Sequence, residues 1–279
     1  MENKSDEILS LIESSIKQGN ANIESFYSNL ISKLGKAMPP KNLIEIAENN
    51  LSKKNIYFIR HAEAEHNVLE KKYGHLGYEK WNIHDPKLTE RGIQQTNNIK
   101  KKLNENKIHF DSIFISPLTR AIQTYFLIEN DINNDAKIII TDFAREVVSL
   151  KLDKNKGKQL SLLKEENKNK KFDFQYMTKE YWRFDLGEKK EDESEGYELF
   201  QLRIKLFILW LAFRKDENML IISHSHVFVN MQNSMGIHNA DMVRLNNKDL
   251  LEHIISLFPK KGKEKNKEKQ KEKEKCFIC

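Results

Sequence analysis

Four short apolar runs, each rich in β-branched or aromatic residues, constrain the fold most: Asn55 to Arg60 (NIYFIR), Ser112 to Ile115 (SIFI), Lys137 to Thr141 (KIIIT) and Met219 to Ser223 (MLIIS). Runs this short and this apolar read as strands buried on both sides. Between them, Thr89 to Asn106, Leu118 to Asn130 and Tyr197 to Arg214 repeat their apolar residues at helical spacing. Strand and helix in alternation predict an α/β domain, a mostly parallel central sheet with helices on both faces.

Ahead of the first strand, Ile8, Leu9, Ile12, Ile16, Ile23, Phe26, Leu30 and Leu34 recur at three- and four-residue steps. They predict an amphipathic helix over about 5–35, stopped by Met38-Pro39-Pro40, with a second short helix over about 41–51. Three parts follow: an N-terminal helical extension over 1–51, a main domain over 52–259, and a Lys/Glu-rich tail over 260–279. The polar Lys/Asn-rich stretch 151–171 reads as a surface insertion or lid. Phe172 to Met177 (FDFQYM) and Trp182 read as packing.

The net charge of +6 suggests a nucleic-acid partner until it is located. Residues 260–275 set nine Lys against four Glu and so hold five of those six charges, which leaves the main body almost neutral. The tail lacks interleaved aromatics, so no nucleic-acid binding is expected. Cys276 and Cys279 are the chain's two cysteines, too few for a zinc shell and too close to the end for a core disulfide. No signal peptide or membrane span is expected, and the location expected is cytoplasmic. The longest apolar run, Leu206 to Phe213, has the length of a buried helix.

In a parallel sheet, ligands bind beyond the carboxyl ends of the strands. Those ends carry Arg60-His61 after the first run, Ser116 to Arg120 after the second, Arg145-Glu146 after the third and His224 after the fourth. An imidazole is a nucleophile toward phosphorus, guanidiniums fork onto phosphoryl oxygens, and a carboxyl group protonates a leaving oxygen. Together these are the parts phosphoryl transfer requires.

Arg60-His61-Ala62-Glu63, with Asn67 following, resembles the Arg-His-Gly/Ala-Glu signature of the histidine phosphatase superfamily. Asp85 to Gln95 (DPKLTERGIQQ) is similar to its D-x-x-L-T-x-x-G-x-x-Q helix start, Ser116 to Thr124 (SPLTRAIQT) to its S-P-L-x-R-A-x-Q-T motif, and Ile222-Ser223-His224 to its second-histidine strand. The chain resembles the phosphoglycerate-mutase-like members, the plant and fungal mutase-like proteins more closely. The resemblance implies a phosphomonoester phosphatase in which His61 becomes phosphohistidine, with Arg60, Arg120 and His224 lining the phosphate pocket and Glu146 as general acid and base. It needs no metal and no cofactor. Asn67 and the start of the helix near Leu118 are expected to add donors, and Lys151 and Lys154 to meet substrate where mutases carry arginines. One alternative is a phosphoglycerate mutase primed by 2,3-bisphosphoglycerate; another is a membrane-tethered module that binds a phosphorylated ligand. The substrate expected is a small phosphorylated metabolite or a phosphoprotein. Ser225 and His226 stand where the usual glycine follows the second histidine, and His226 reads as a structural neighbour of the site.

The last four residues, Cys276-Phe277-Ile278-Cys279, fit the C-a-a-X prenylation pattern behind a polybasic run. Together they predict a prenyl group on Cys276 and peripheral attachment to the cytoplasmic face of a membrane.

Overall fold

The computed structural model describes residues 2–18, 23–74, 83–133, 135–148, 155–177, 196–232 and 234–258. Its strands are β1 (Asn55–Arg60), β2 (Ser112–Ile115), β3 (Lys137–Ile140), β4 (Phe172–Asp173), β5 (Asn218–Ser223) and β6 (Met242–Arg244). They form one sheet in the order β4-β3-β2-β5-β1-β6, all parallel except β6, which runs antiparallel to β1. The four central strands are the four apolar runs. The two edge strands, two and three residues long, carry too little pattern to be read from sequence.

Ten helices lie among the described residues: α1 (Glu2–Gln18), α2 (Ile23–Ala37), α3 (Pro40–Ser52), α4 (Glu65–Tyr73), α5 (Glu90–Asn106), α6 (Thr119–Ile128), α7 (Leu160–Glu166), α8 (Tyr197–Phe213), α9 (Ser225–Gln232) and α10 (Asn247–Ser256). Side chains alternate between the faces of a strand, and two cores result. Ile56, Phe58, Phe114, Ile139, Met219 and Ile221 face α1, α2, α3, α8, α9 and α10. Ile59, Ile113, Ile115, Ile138, Ile140, Leu220 and Ile222 face α5, α6 and α7.

The expected helix over 5–35 is two helices. Residues 19–22, between them, lie outside the described residues, and α1 and α2 pack on each other and both reach α8. That cover explains why α8 is buried from Leu206 to Phe213 without a polar face. On α1, Glu13 Oε1 accepts from Trp210 Nε1 at 3.2 Å and from an Arg214 guanidinium nitrogen at 3.0 Å.

Of the stretch 151–171, residues 155–171 are described, and they are packed rather than simply solvated. From residue 155 onward it carries α7, whose Leu160 and Leu163 enter the second core. Phe172 stacks on Phe126, and Tyr176 and Met177 are buried, as the packing reading expects. Trp182 lies outside the described residues. Among the described residues, no helix is long and apolar enough to cross a membrane.

Candidate active site

Because β1, β2, β3 and β5 are parallel, their carboxyl ends share one edge, and the hydrogen-bond ladder runs on past the strands to fix the first residues of each loop. His61 N–H donates to Ser223 O at 2.9 Å, Ser116 N–H to Ile222 O at 3.0 Å and Thr141 N–H to Ile115 O at 3.1 Å. The ladder brings the rings of His61 and His224 to 5.1 Å between centroids. His224 Nε2 lies 2.7 Å from Ser116 Oγ.

His61 is 2% exposed, and its Nδ1 lies 2.7 Å from the carbonyl oxygen of Ala62. A carbonyl oxygen only accepts, so Nδ1 carries the proton and Nε2 keeps its lone pair. Burial, and then the positive charges of Arg120 and Arg60, hold the His61 pKa well below the ordinary histidine value. Burial and Arg120 do the same to His224, against the opposing pull of Glu146. Both rings are neutral at neutral pH. The His61 carbonyl accepts from Asn239 Nδ2 at 3.0 Å and from Ala240 N–H at 3.3 Å, so the backbone is held as firmly as the ring.

Arg120 is buried at the start of α6 and donates to Asn155 Oδ1 at 2.9 Å. Arg60 donates to Ile237 O at 2.8 Å. Glu146 follows the short helical turn Asp142–Ala144 after β3. Burial would raise its pKa. The neighbouring His226 and His224, with the Val147 N–H at 3.0 Å from Oε1, outweigh burial and hold the carboxyl well below the usual carboxylate range. Glu146 rests as a carboxylate between His224 and His226.

The three remaining motifs place these groups. Thr89 Oγ1 caps α5 by accepting from Gly92 N–H at 3.0 Å, and Gln95 Oε1 accepts from Glu63 N–H at 2.9 Å. Gly92 is glycine because a Cβ there would sit 2.0 Å from the carbonyl oxygen of Glu63, two residues beyond His61. Gln123 Oε1 accepts from Leu88 N–H at 2.8 Å, and Thr124 Oγ1 from Ala62 N–H at 3.1 Å. Asp85, in the left-handed region at φ 42°, accepts from both Thr119 N–H and Thr119 Oγ1. It caps α6, which has no side-chain cap of its own.

The family model of the histidine phosphatase superfamily (branch 1) matches residues 56–252. The chain belongs to the histidine phosphatase superfamily. Among curated relatives, phosphoglycerate mutase-like protein 1 of Arabidopsis thaliana is 24% identical over 207 residues, covering 65% of this chain and 72% of the relative. Phosphoglycerate mutase-like protein 2 of the same plant is 37% identical over 73 residues, 25% of this chain and 21% of that one. The alpha-ribazole phosphatase of Shigella flexneri is a solved structure with 20% identity and a TM-score of 0.44, covering 67% of this chain and 88% of that one. At that score it adds nothing to the family match.

Of the residues expected to line the site of this histidine phosphatase, Arg60, His61, Arg120, Glu146 and His224 gather at the sheet edge. Asn67 lies beside them at the start of α4. Its Oδ1 accepts from Ala64 N–H at 3.0 Å, capping α4, and its Nδ2 lies 3.1 Å from His66 Nε2. The first N–H of α6, at Thr119, is likewise committed to Asp85. Lys151, Lys154 and Cys276 lie outside the described residues; Lys158 pairs with Glu166 at 2.6 Å. Three residues of the site were not read from the sequence: His66, whose ring lies 5.7 Å from that of His61, Asn155 and Asn239. His66 had a signal, a titratable side chain in the same strand-to-helix turn as His61. Among the described residues, no group of three or more His, Cys, Asp or Glu is arranged to hold a metal ion.

Proposed function

We propose that this histidine phosphatase is a phosphomonoester hydrolase that works through a phosphohistidine at His61, with Glu146 as general acid and base. The observation that carries the reading is the 2.7 Å contact of His61 Nδ1 with a carbonyl oxygen, which leaves Nε2 unprotonated in a pocket holding Arg60, Arg120 and His224. In the first half-reaction Nε2 attacks phosphorus, the bond to the leaving oxygen breaks, and Glu146 gives that oxygen a proton. In the second, Glu146 takes a proton from water, the water oxygen attacks phosphorus, and the P–N bond breaks. The guanidiniums neutralise the charge spread over the phosphoryl oxygens throughout. The substrate class is a small phosphorylated metabolite or a phosphoprotein. Cys276, if prenylated, would hold the enzyme on a membrane face.

The test is hydrolysis of p-nitrophenyl phosphate by the purified chain and by His61→Ala, with acid-quenched samples examined for an acid-labile, base-stable phosphoenzyme. A coupled 3-phosphoglycerate to 2-phosphoglycerate assay runs beside it. Turnover and phosphoenzyme both lost in His61→Ala, without mutase activity, is the expected outcome. Strong mutase turnover primed by 2,3-bisphosphoglycerate would replace the hydrolase reading, and hydrolysis untouched by His61→Ala would refute it.

A further inference from the structure

The proposed chemistry leaves a gap. It needs a protonated Glu146 at the start, while the surroundings of Glu146 favour its carboxylate.

His226 is the second residue of α9, and its Nδ1 lies 3.3 Å from Glu146 Oε2. The other oxygen, Oε1, is taken by the Val147 N–H. The two partners differ sharply in exposure, with side chains 67% exposed for His226 and 10% for Glu146. A nearly buried carboxyl group therefore meets solvent-facing imidazole at its mouth. Among the described residues, the titratable or charged groups around the pair include His224 from the end of β5, His61 from the end of β1, and Arg145, which donates to the Glu146 carbonyl oxygen at 3.4 Å. Arg60 and Arg120 act on the two buried rings. Those rings are held neutral and the guanidiniums stay cationic at any accessible pH. The His226 imidazole is the member of this set that faces solvent, where a proton can be exchanged.

We propose that His226 is a positioning residue that stores the proton Glu146 delivers. The proposal rests on the phosphatase reading above. As a phosphomonoester enters, its negative charge disfavours the neighbouring carboxylate. The Nδ1–H bond of the His226 imidazolium breaks, an O–H bond forms at Glu146 Oε2, and His226 becomes neutral. That O–H bond then breaks as the leaving oxygen takes the proton, while the P–O bond breaks and the P–N bond to His61 forms. Glu146 Oε2 then takes a proton from water, the water oxygen attacks phosphorus as the P–N bond to His61 breaks, and the proton passes from Glu146 Oε2 back to His226 Nδ1.

The experiment compares the full chain with His226→Asn, which keeps a neutral donor near Nδ1 but cannot hold a positive charge, and with His226→Ala. Two esters are used: p-nitrophenyl phosphate, whose leaving group needs little protonation, and glycerol phosphate, whose alkoxide needs a full proton. Expected at neutral pH is a fall of about tenfold or more in kcat for glycerol phosphate, against a change within about threefold for p-nitrophenyl phosphate. The alkaline limb of the pH profile moves down from the histidine range toward the carboxyl range. Added imidazole restores part of the loss in His226→Ala. Equal losses on both esters, or an unmoved limb in an enzyme that still depends on His61, overturn the storage role alone. A wild-type chain inert toward both esters overturns the phosphatase reading and the storage role together.

Discussion

Replacing Gly92 with alanine tests whether the backbone behind His61 is set by close approach. The new Cβ would lie 2.0 Å from Glu63 O, 3.0 Å from Glu63 C and 3.1 Å from Glu63 N, where ordinary contact begins near 3.4 Å. The colliding atoms are main chain, so no side chain can swing away, and Glu63 O also holds the Thr89 N–H at 3.0 Å. Overpacking of this kind costs about 1–3 kcal/mol, and loss of the backbone hydrogen bond adds about 1 kcal/mol. Alanine returns about 1 kcal/mol of helix propensity, so the net loss is about 1–3 kcal/mol. At roughly 2–4 °C per kcal/mol for a chain somewhat smaller than this, Tm falls by about 2–12 °C. A shift near 1 Å two residues from the nucleophile also lowers kcat by up to about a hundredfold. The control is Gly35→Ala on α2, where an added Cβ meets nothing within 4 Å. It should raise stability by up to about 1 kcal/mol and leave turnover unchanged. Thermal melts and p-nitrophenyl phosphate kinetics read both variants. Gly92→Ala with wild-type Tm and kcat would refute the close-approach argument.

Asn155→Ala removes the acceptor for Arg120 and the donor to Val147 O, so inhibition by inorganic phosphate should weaken by about tenfold, and an unchanged inhibition constant would show that Arg120 is oriented by other means. The pH dependence of stability has a definite sign: His61 and His224 are neutral when folded but take a proton near pH 6.5 when unfolded, so their contribution is complete above that value and is lost as pH falls. His61→Asn should flatten that loss by about 1.4 kcal/mol per pH unit below about 6.5, measured by urea denaturation at several pH values; parallel curves would contradict burial of a neutral His61. Arg203→Lys leaves one ammonium to serve the carbonyls of Phe143 and Arg145, now bonded at 2.8 and 2.9 Å, and should lower stability by about 1–2 kcal/mol while reducing kcat more than it changes KM. Wild-type kcat in that variant would dissociate the guanidinium from the placement of Glu146.

What could be read from the sequence was what short range determines. The four central strands announce themselves because each is apolar on both faces, and parallel pairing then forces their reactive ends to one edge. That is why Arg60, His61, Arg120, Glu146 and His224 are found from sequence alone. Asn155 could not be found, since one asparagine among the Lys and Asn of 151–171 carries no local pattern. Its role comes from folding back over Arg120, a contact 35 residues away in sequence. Asn239 is similar, reaching the His61 carbonyl across 178 residues. Asn67 is identified by the motif, and its amide oxygen also holds the open N–H of Ala64 at the start of α4, a local cap that the motif does not show. The expectation of one helix over 5–35 came from apolar spacing that continues from α1 into α2.

The N-terminal helices lie before the family match, which begins at residue 56, but their packing bears on the site. From Leu206 to Phe213 α8 is apolar on every side, so its outer surface requires cover, and α1, α2 and α3 provide it through Ile8, Ile12, Phe26, Leu30 and Leu43, each at most 1% exposed. Burying side chains of this size is worth about 1.5–3 kcal/mol apiece, enough to fix where α8 sits on the sheet. From α8, the fully buried Arg203 stacks on Phe200 and donates to the carbonyls of Phe143 and Arg145. Those carbonyls belong to the segment that presents Glu146. The seat of the carboxyl group is thus tied through one guanidinium to a helix that α1, α2 and α3 cover.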